Sequence, residues 1–207
     1  MSIRIEKLTE VRVEGAMQLY ETSFGAKQHT TSQTLLERMN KQTGIFYIAI
    51  DEATDRVVGL KFGYLEGDTC IGRGIAVLPE YRRQGIASTL LHHFEADLHA
   101  HPTVHHYVFG SATDEGIPFH IASGYQPRAL LQFAESQDRG KLNLDNFRIT
   151  SEGYNEEHQV YQIYLELERP EQNLTYLHHL QTEFPTVNVQ FVFSKTFSHS
   201  GSESATL

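Results

Sequence analysis

Val13, Ala16, Met17 and Tyr20 recur at i, i+3, i+4 and i+7, which predicts an amphipathic helix after a short opening strand over Ile3 to Ile5. Leu35, Leu36 and Met39 predict a second, shorter helix, with Thr31 or Ser32 as its N-cap. The period then changes to two. Ile45 to Ile50 is an unbroken apolar run and reads as a buried strand. Val58, Leu60, Phe62 and Tyr64 alternate, so a second strand pairs back across the polar turn Asp51 to Arg56. Glu66-Gly67-Asp68 marks another turn, and Ile75 to Leu78 a further strand ended by Pro79.

Helical spacing returns with Ala87, Leu91, Phe94 and Leu98 and stops at Pro102. Val104 to Phe109 is strand-like. Asp114 to Ser123 predicts a short helix closed by Gly124 at C′. Ala129, Leu131 and Phe133 alternate, as do Tyr161, Ile163, Leu165 and Leu167. The stretch Glu135 to Glu157 between them is polar, and a connection of that length is often functional. Beyond Pro170, Leu177, Leu180 and Phe184 suggest a helix. Val187, Val189, Phe191 and Phe193 then alternate as a last strand, whose apolar face that helix is expected to cover. Ser198 to Leu207 is a polar tail.

Composition narrows the classes. The 207 residues suffice for one domain with additions. Seventeen Lys and Arg against 26 Asp and Glu give a charge of −9, with no basic stripe, which argues against nucleic acid. The acidic field suits a cationic partner such as a protonated amine, or serves solubility alone. One cysteine, Cys70, forms no internal disulfide and fits a reducing compartment. The N-terminus lacks a signal-peptide core, and no apolar run is long enough to span a membrane, so a cytoplasmic protein is expected. Twelve histidines raise the question of metal. Adjacent His105 and His106 on one strand point to opposite faces, and no ligand spacing recurs, so no metal is expected.

The most informative unit is strand, turn and helix from Ile75 to Leu98, with the turn Pro79-Glu80-Tyr81-Arg82-Arg83-Gln84-Gly85-Ile86-Ala87. A helix starting near Gly85 presents unpaired N–H groups and the positive end of its dipole, a ready pyrophosphate site. Gly85 lets oxygens approach the backbone, Arg82 and Arg83 add charge and bidentate donors, and Ser88 adds a hydroxyl. No Gly-Lys-Ser/Thr follows and only one glycine lies in the turn, which excludes a P-loop and a dinucleotide fingerprint.

Val77-Leu78-Pro79-Glu80-Tyr81-Arg82-Arg83-Gln84-Gly85-Ile86-Ala87 resembles the central motif of the GCN5-related N-acetyltransferases (GNAT), Arg/Gln-x-x-Gly-x-Gly/Ala, met here by Arg82, Gly85 and Ala87. The resemblance runs from about Ile3 to Leu167 and includes Pro118-Phe119-His120-Ile121-Ala122-Ser123-Gly124-Tyr125, which matches the family's short helix before Gly-Phe or Gly-Tyr. It implies an α/β fold: a mixed, mostly antiparallel sheet flanked by helices and splayed between strands 4 and 5. The expected organisation is an acyltransferase domain over 1–168, a helix-strand extension over 169–197, and a tail over 198–207.

The resemblance also implies acetyl-CoA as cosubstrate, with Ile75, Ala76 and Val77 pairing with the pantetheine arm. Arg82, Arg83, Gln84, Gly85, Ile86, Ala87 and Ser88 would hold the pyrophosphate. The acceptor would be a primary amine of a small molecule or peptide, attacking directly in a ternary complex, and a homodimer through C-terminal strands is an option. The chain departs from the pattern in three places. His120 replaces the tyrosine that relatives use to protonate the leaving thiolate. It either takes that role or is a half-buried helix histidine. No glutamate lies on Ile71-Gly72-Arg73-Gly74, which leaves Glu66 or Asp68, acting through water, as bases or as plain turn residues. Thr113 stands where relatives often carry a cofactor-binding asparagine. The glycines around Arg73 suggest a bulge. The other reading is an acyl-CoA-binding module that has lost catalysis.

Overall fold

An unbroken apolar strand needs cover on both faces. The computed structural model describes residues 2–25, 30–111, 116–145, 147–156, 159–167, 175, 178, 179, 181, 182 and 186–197, and it supplies that cover. The chain divides into two units, Met1–Tyr107 with Thr196–Leu207, and Val108–Lys195. The fold is mixed α/β, with mostly antiparallel strands flanked by helices.

In the first unit, β1 (Ile3–Lys7), β2 (Gly44–Asp51), β3 (Arg56–Glu66) and β4 (Thr69–Val77) form an antiparallel meander in that order. The helices α1 (Val13–Phe24) and α2 (Ser32–Asn40) precede β2, and Thr31 caps α2 by accepting the Thr34 amide at 3.1 Å. Phe62 of β3 stacks on Tyr20 of α1, with ring centroids 5.9 Å apart. The opposite face of β3 carries Gly59, Lys61 and Gly63 and lies under α3 (Ile86–Ala100). β5 (His106–Ser111) follows α3 and starts beside the start of β4, where the Asp68 carbonyl accepts the His105 and His106 amides at 2.8 and 3.1 Å. A helix crossover joining neighbours is the connection of a parallel pair.

In the second unit, the rest of β5 is followed in the sheet by β9 (Asn188–Thr196), β6 (Gln126–Phe133), β8 (Val160–Glu166) and β7 (Arg148–Asn155). β6 pairs antiparallel with both β9 and β8. The short helix α4 (Gly116–Ala122) ends at Gly124, whose φ of 80° closes the turn. β9 has neighbours on both sides, so that unit's free edge is β7.

Two elements differ from the sequence expectation, and a third is described only in part. β4 begins at Thr69 rather than Ile75, because the Gly-Arg-Gly segment stays paired with β3 despite its poor strand propensity. The polar stretch after Glu135 is not one long connection. It contains a 3-10 turn over Ser136–Lys141 and the strand β7, whose residues are almost all exposed and which shows no apolar period. The helix expected after Pro170 is helical at residues 175, 178, 179, 181 and 182, and His178 packs against Phe191 of β9 at 5.7 Å. Leu177, Leu180, Phe184 and the tail over 198–207 lie outside the described residues.

Candidate active site

The loop between β4 and α3 is built by two left-handed residues. After β4, Leu78 is buried, and Pro79–Tyr81 makes one 3-10 turn. That turn is anchored from below: the Tyr81 hydroxyl donates to Asp51 Oδ2 at 2.8 Å. Asp51 is buried and also accepts from the Ala53 amide and the Thr54 hydroxyl. These donors, Tyr81 first, hold its carboxyl below the usual range. Arg82 then runs extended, and its Nε donates to the Val77 carbonyl at 3.1 Å, tying the loop to the end of β4. Arg83 has φ 63° and Gly85 φ 79°. A left-handed conformation is unfavourable for a side chain as long as arginine, and such turns gather backbone N–H groups into an anion-binding concavity.

α3 starts at Ile86 with no side chain capping it. Its first-turn N–H groups point out beside exposed Arg83, Gln84, Gly85 and Ser88. A Cβ at Gly85 would meet nothing within 4 Å, so the glycine is demanded by its φ and not by crowding within the chain. Ile86 faces the core, and Ala87 is half-buried. The sequence-predicted loop residues therefore come together at one place, with Arg82 turned to the strand end and Arg83 to the open side.

β4 leads into this loop and is unusually open for an interior strand: Ile71 to Ala76 are all only half-buried. Its register against β3 slips at Phe62/Gly63, which pair with Gly74 and Gly72 and leave Arg73 as the bulged residue. Gly74 has φ 136°, and a Cβ there would fall 2.6 Å from the Phe24 ring.

Beneath the bulge lies a group with no counterpart in the sequence-derived site. Lys61 is only 2% exposed. Its ammonium donates at 3.4 Å to the carbonyls of both bulge partners, Phe62 and Gly74, and sits 4.6 Å from the Phe94 ring and 5.1 Å from the Tyr107 ring. Burial pulls its pKa down from 10.5 to about 8, against the opposing pull of Cys70 and Glu95. Burial also raises the Cys70 thiol to about 12, and it raises the Tyr107 hydroxyl. The legible signal was Gly59-Leu60-Lys61-Phe62-Gly63. Flanking glycines on one face let α3 settle close, and a Cβ at Gly63 would strike Phe94 at 2.5 Å and the Cys70 sulfur at 2.7 Å.

The turn acids are engaged. Glu66 faces Arg38 at 3.6 Å, and Asp68 Oδ1 accepts the Thr69 hydroxyl. In the second unit, His120 of α4 is buried among Phe109, Phe119, Tyr125 and Phe193, with ring centroids 4.3 to 5.9 Å away. It is more deeply buried than expected. Thr113 lies outside the described residues. Among those described, no group of three metal-ligating side chains gathers, and no helix is long and apolar enough to cross a membrane.

Residues 42–127 match the model of the acetyltransferase (GNAT) domain. That span holds β2 to α4, including the loop and the bulge. The fold is similar to the ribosomal-protein-S18-alanine N-acetyltransferase of Escherichia coli, with TM-score 0.55 and 11% identity, covering 98% of each chain. It is also similar to an acetyltransferase of Trypanosoma brucei, with TM-score 0.52 and 13% identity over 60% of this chain and 93% of that one. A GNAT-family acetyltransferase of Staphylococcus aureus gives TM-score 0.51 and 17% identity over 81% and 100%. No curated protein matches the sequence.

Proposed function

Because the chain carries a GNAT-family acetyltransferase domain, we propose that it transfers an acetyl group from acetyl-CoA to the primary amine of a small molecule or peptide, in the cytoplasm. One observation carries this reading: a half-exposed β4 feeds an uncapped helix N-terminus through a turn with left-handed Arg83 and Gly85. The pyrophosphate sits on the first-turn amides of α3, with Arg83 at its open side and Arg82, Gln84, Ile86, Ala87 and Ser88 completing the cradle. The pantetheine arm runs back along Val77, Ala76 and Ile75. Strand rise is about 3.3 Å per residue, so some 10 Å of arm brings the thioester to the bulge.

The neutral amine attacks the thioester carbonyl, the new C–N bond forms, and the C–S bond breaks. The amine gives up its proton and the thiolate gains one. His120 is our candidate donor to the thiolate. The packing of its ring supports a purely structural role equally well, and one substitution separates the two. His120→Phe keeps an aromatic ring in the same apolar niche. We expect kcat to fall about 100-fold with KM for acetyl-CoA unchanged, and unchanged turnover removes His120 from the chemistry. Residues 1–168 would form the acyltransferase domain and 169–197 its extension.

Thiol release from acetyl-CoA, followed across polyamines, amino acids and peptides, tests the reaction itself. Coenzyme binding without release across that panel supports the other reading, an acyl-CoA-binding module. Arg83→Glu tests the cradle. Reversing a charge beside the pyrophosphate should weaken coenzyme binding about tenfold or more by calorimetry. An unchanged Kd would place the phosphates elsewhere.

A further inference from the structure

Two guanidinium groups meet on one ring beside the bulge. Arg73, the bulged residue, lies 5.0 Å from the Tyr64 ring, and Arg38, from the last turn of α2, lies 4.0 Å from the same ring. Tyr64 is buried, and its hydroxyl donates to Thr30 Oγ1 at 3.2 Å. The two arginines differ in their commitments. Arg38 faces Glu66 at 3.6 Å and reaches the Thr43 carbonyl at 3.4 Å. Arg73 Nε is buried with no hydrogen-bond partner, and its guanidinium joins no ion pair among the described residues.

That is costly, and it occurs in a chain with nine more acids than basic residues. A half-buried guanidinium held over an aromatic ring has a restricted donor fork, the arrangement that suits a planar or tetrahedral oxyanion. A second positive charge on the same ring strengthens that preference. The position matters as much as the charge, since Arg73 interrupts β4 where the proposed arm delivers its thioester.

Resting on the acyltransferase reading for its location, we propose that Arg73, supported by Arg38, binds an acidic group of the acceptor, so that the substrate is an amine that also carries a carboxylate or phosphate. Arg73 fixes this group, and the amine is presented to the thioester from beside the bulge. Arg38 and Tyr64 position Arg73.

The test has two arms on the full chain. In the first, ¹⁵N-labelled protein is titrated with succinate and, separately, with glycerol 3-phosphate. The Arg73 Nε–H resonance is identified by its loss in Arg73→Lys. We expect a saturable shift with one of the two acids, which also names the oxyanion. In the second arm, thiol release is compared for γ-aminobutyrate against butylamine and for phosphoethanolamine against ethanolamine. Arg73→Gln should raise KM about tenfold or more for the acid-bearing member of a pair and leave the neutral member within about twofold. A silent Arg73 resonance with both acids, or an equal rise of both KM values, overturns the proposal. A responsive resonance with no thiol release from any amine leaves the anion site standing and removes the acyltransferase reading instead.

Discussion

Gly74→Ala lowers the melting temperature by about 2–12 °C, since a side chain forced into a glycine-only conformation costs on the order of 1–3 kcal/mol and each kcal/mol moves a chain of this size by about 2–4 °C. The conformational cost is only part of it. The new methyl would fall 2.6 and 2.7 Å from two atoms of the Phe24 ring. Phe24 closes α1 and packs on Tyr20 at 4.9 Å, and Tyr20 in turn stacks on Phe62, the bulge partner of Gly74. The ring cannot retreat without loosening the helix that covers β3.

The alternative is for β4 to give way and shift the bulge, which carries Arg73 off Tyr64 and misplaces Ile75. On the proposed reading, coenzyme affinity and turnover then fall together. Thermal unfolding and coenzyme titration of Gly74→Ala check both. Gly67→Ala is the control, since Gly67 also has positive φ, at 62°, but a Cβ there meets nothing within 4 Å. If Gly74→Ala melts no lower than this control, the bulge is not pinned by the Phe24 contact.

This dependence on a contact between distant segments explains what the sequence hid. Continuous or helical apolar periods announce themselves, so β2, α3 and the turn between β4 and α3 were legible residue by residue. The bulge was legible as a glycine cluster, but its register was not, because that is decided by which β3 residue faces each glycine. β7 carries no apolar period, since at an exposed edge its side chains meet β8 through polar and aromatic pairs, Arg148 with Glu166 at 3.1 Å and Tyr154 with Tyr161 at 4.9 Å. The alternation of Val58, Leu60, Phe62 and Tyr64 defines one buried face and is silent on whether a helix also covers the other. Lys61 falls in that silence. A polar residue at an alternate position reads as solvated unless the glycines beside it are seen as room for a helix. The sequence puts His120 on a short helix before Gly124, while its enclosure depends on Phe109 of β5 and on Phe193 of β9, which is far away in the chain.

The buried lysine yields the other large effect, and its sign runs toward stability. An amine whose pKa falls from 10.5 to about 8 on folding has its charged form destabilised by on the order of 3 kcal/mol. Because the folded value lies below the unfolded one, the full cost is present at pH 7, where both states hold the proton. Between pH 8 and 10.5 the folded protein releases that proton while the unfolded chain keeps it, so stability from this residue rises with pH across that window. Lys61→Met keeps a linear apolar stem in the niche against Phe94 and removes the charge. The variant gives up two long hydrogen bonds, to the Phe62 and Gly74 carbonyls. With each worth about 1 kcal/mol, the variant should still gain on the order of 1 kcal/mol at pH 7 and lose the upward slope between pH 8 and 10.5. Urea unfolding of both proteins at pH 7 and pH 9.5 measures the difference. Burial pushes up Cys70 and Tyr107, the neighbours on β4 and β5, in both proteins, so their contributions cancel and the difference isolates the lysine. The same variant frees the Gly74 carbonyl at the bulge. A more stable protein, with slower transfer on the proposed reading, is therefore the expected pair of outcomes. A less stable variant with an unchanged pH slope would show that the ammonium strengthens this fold.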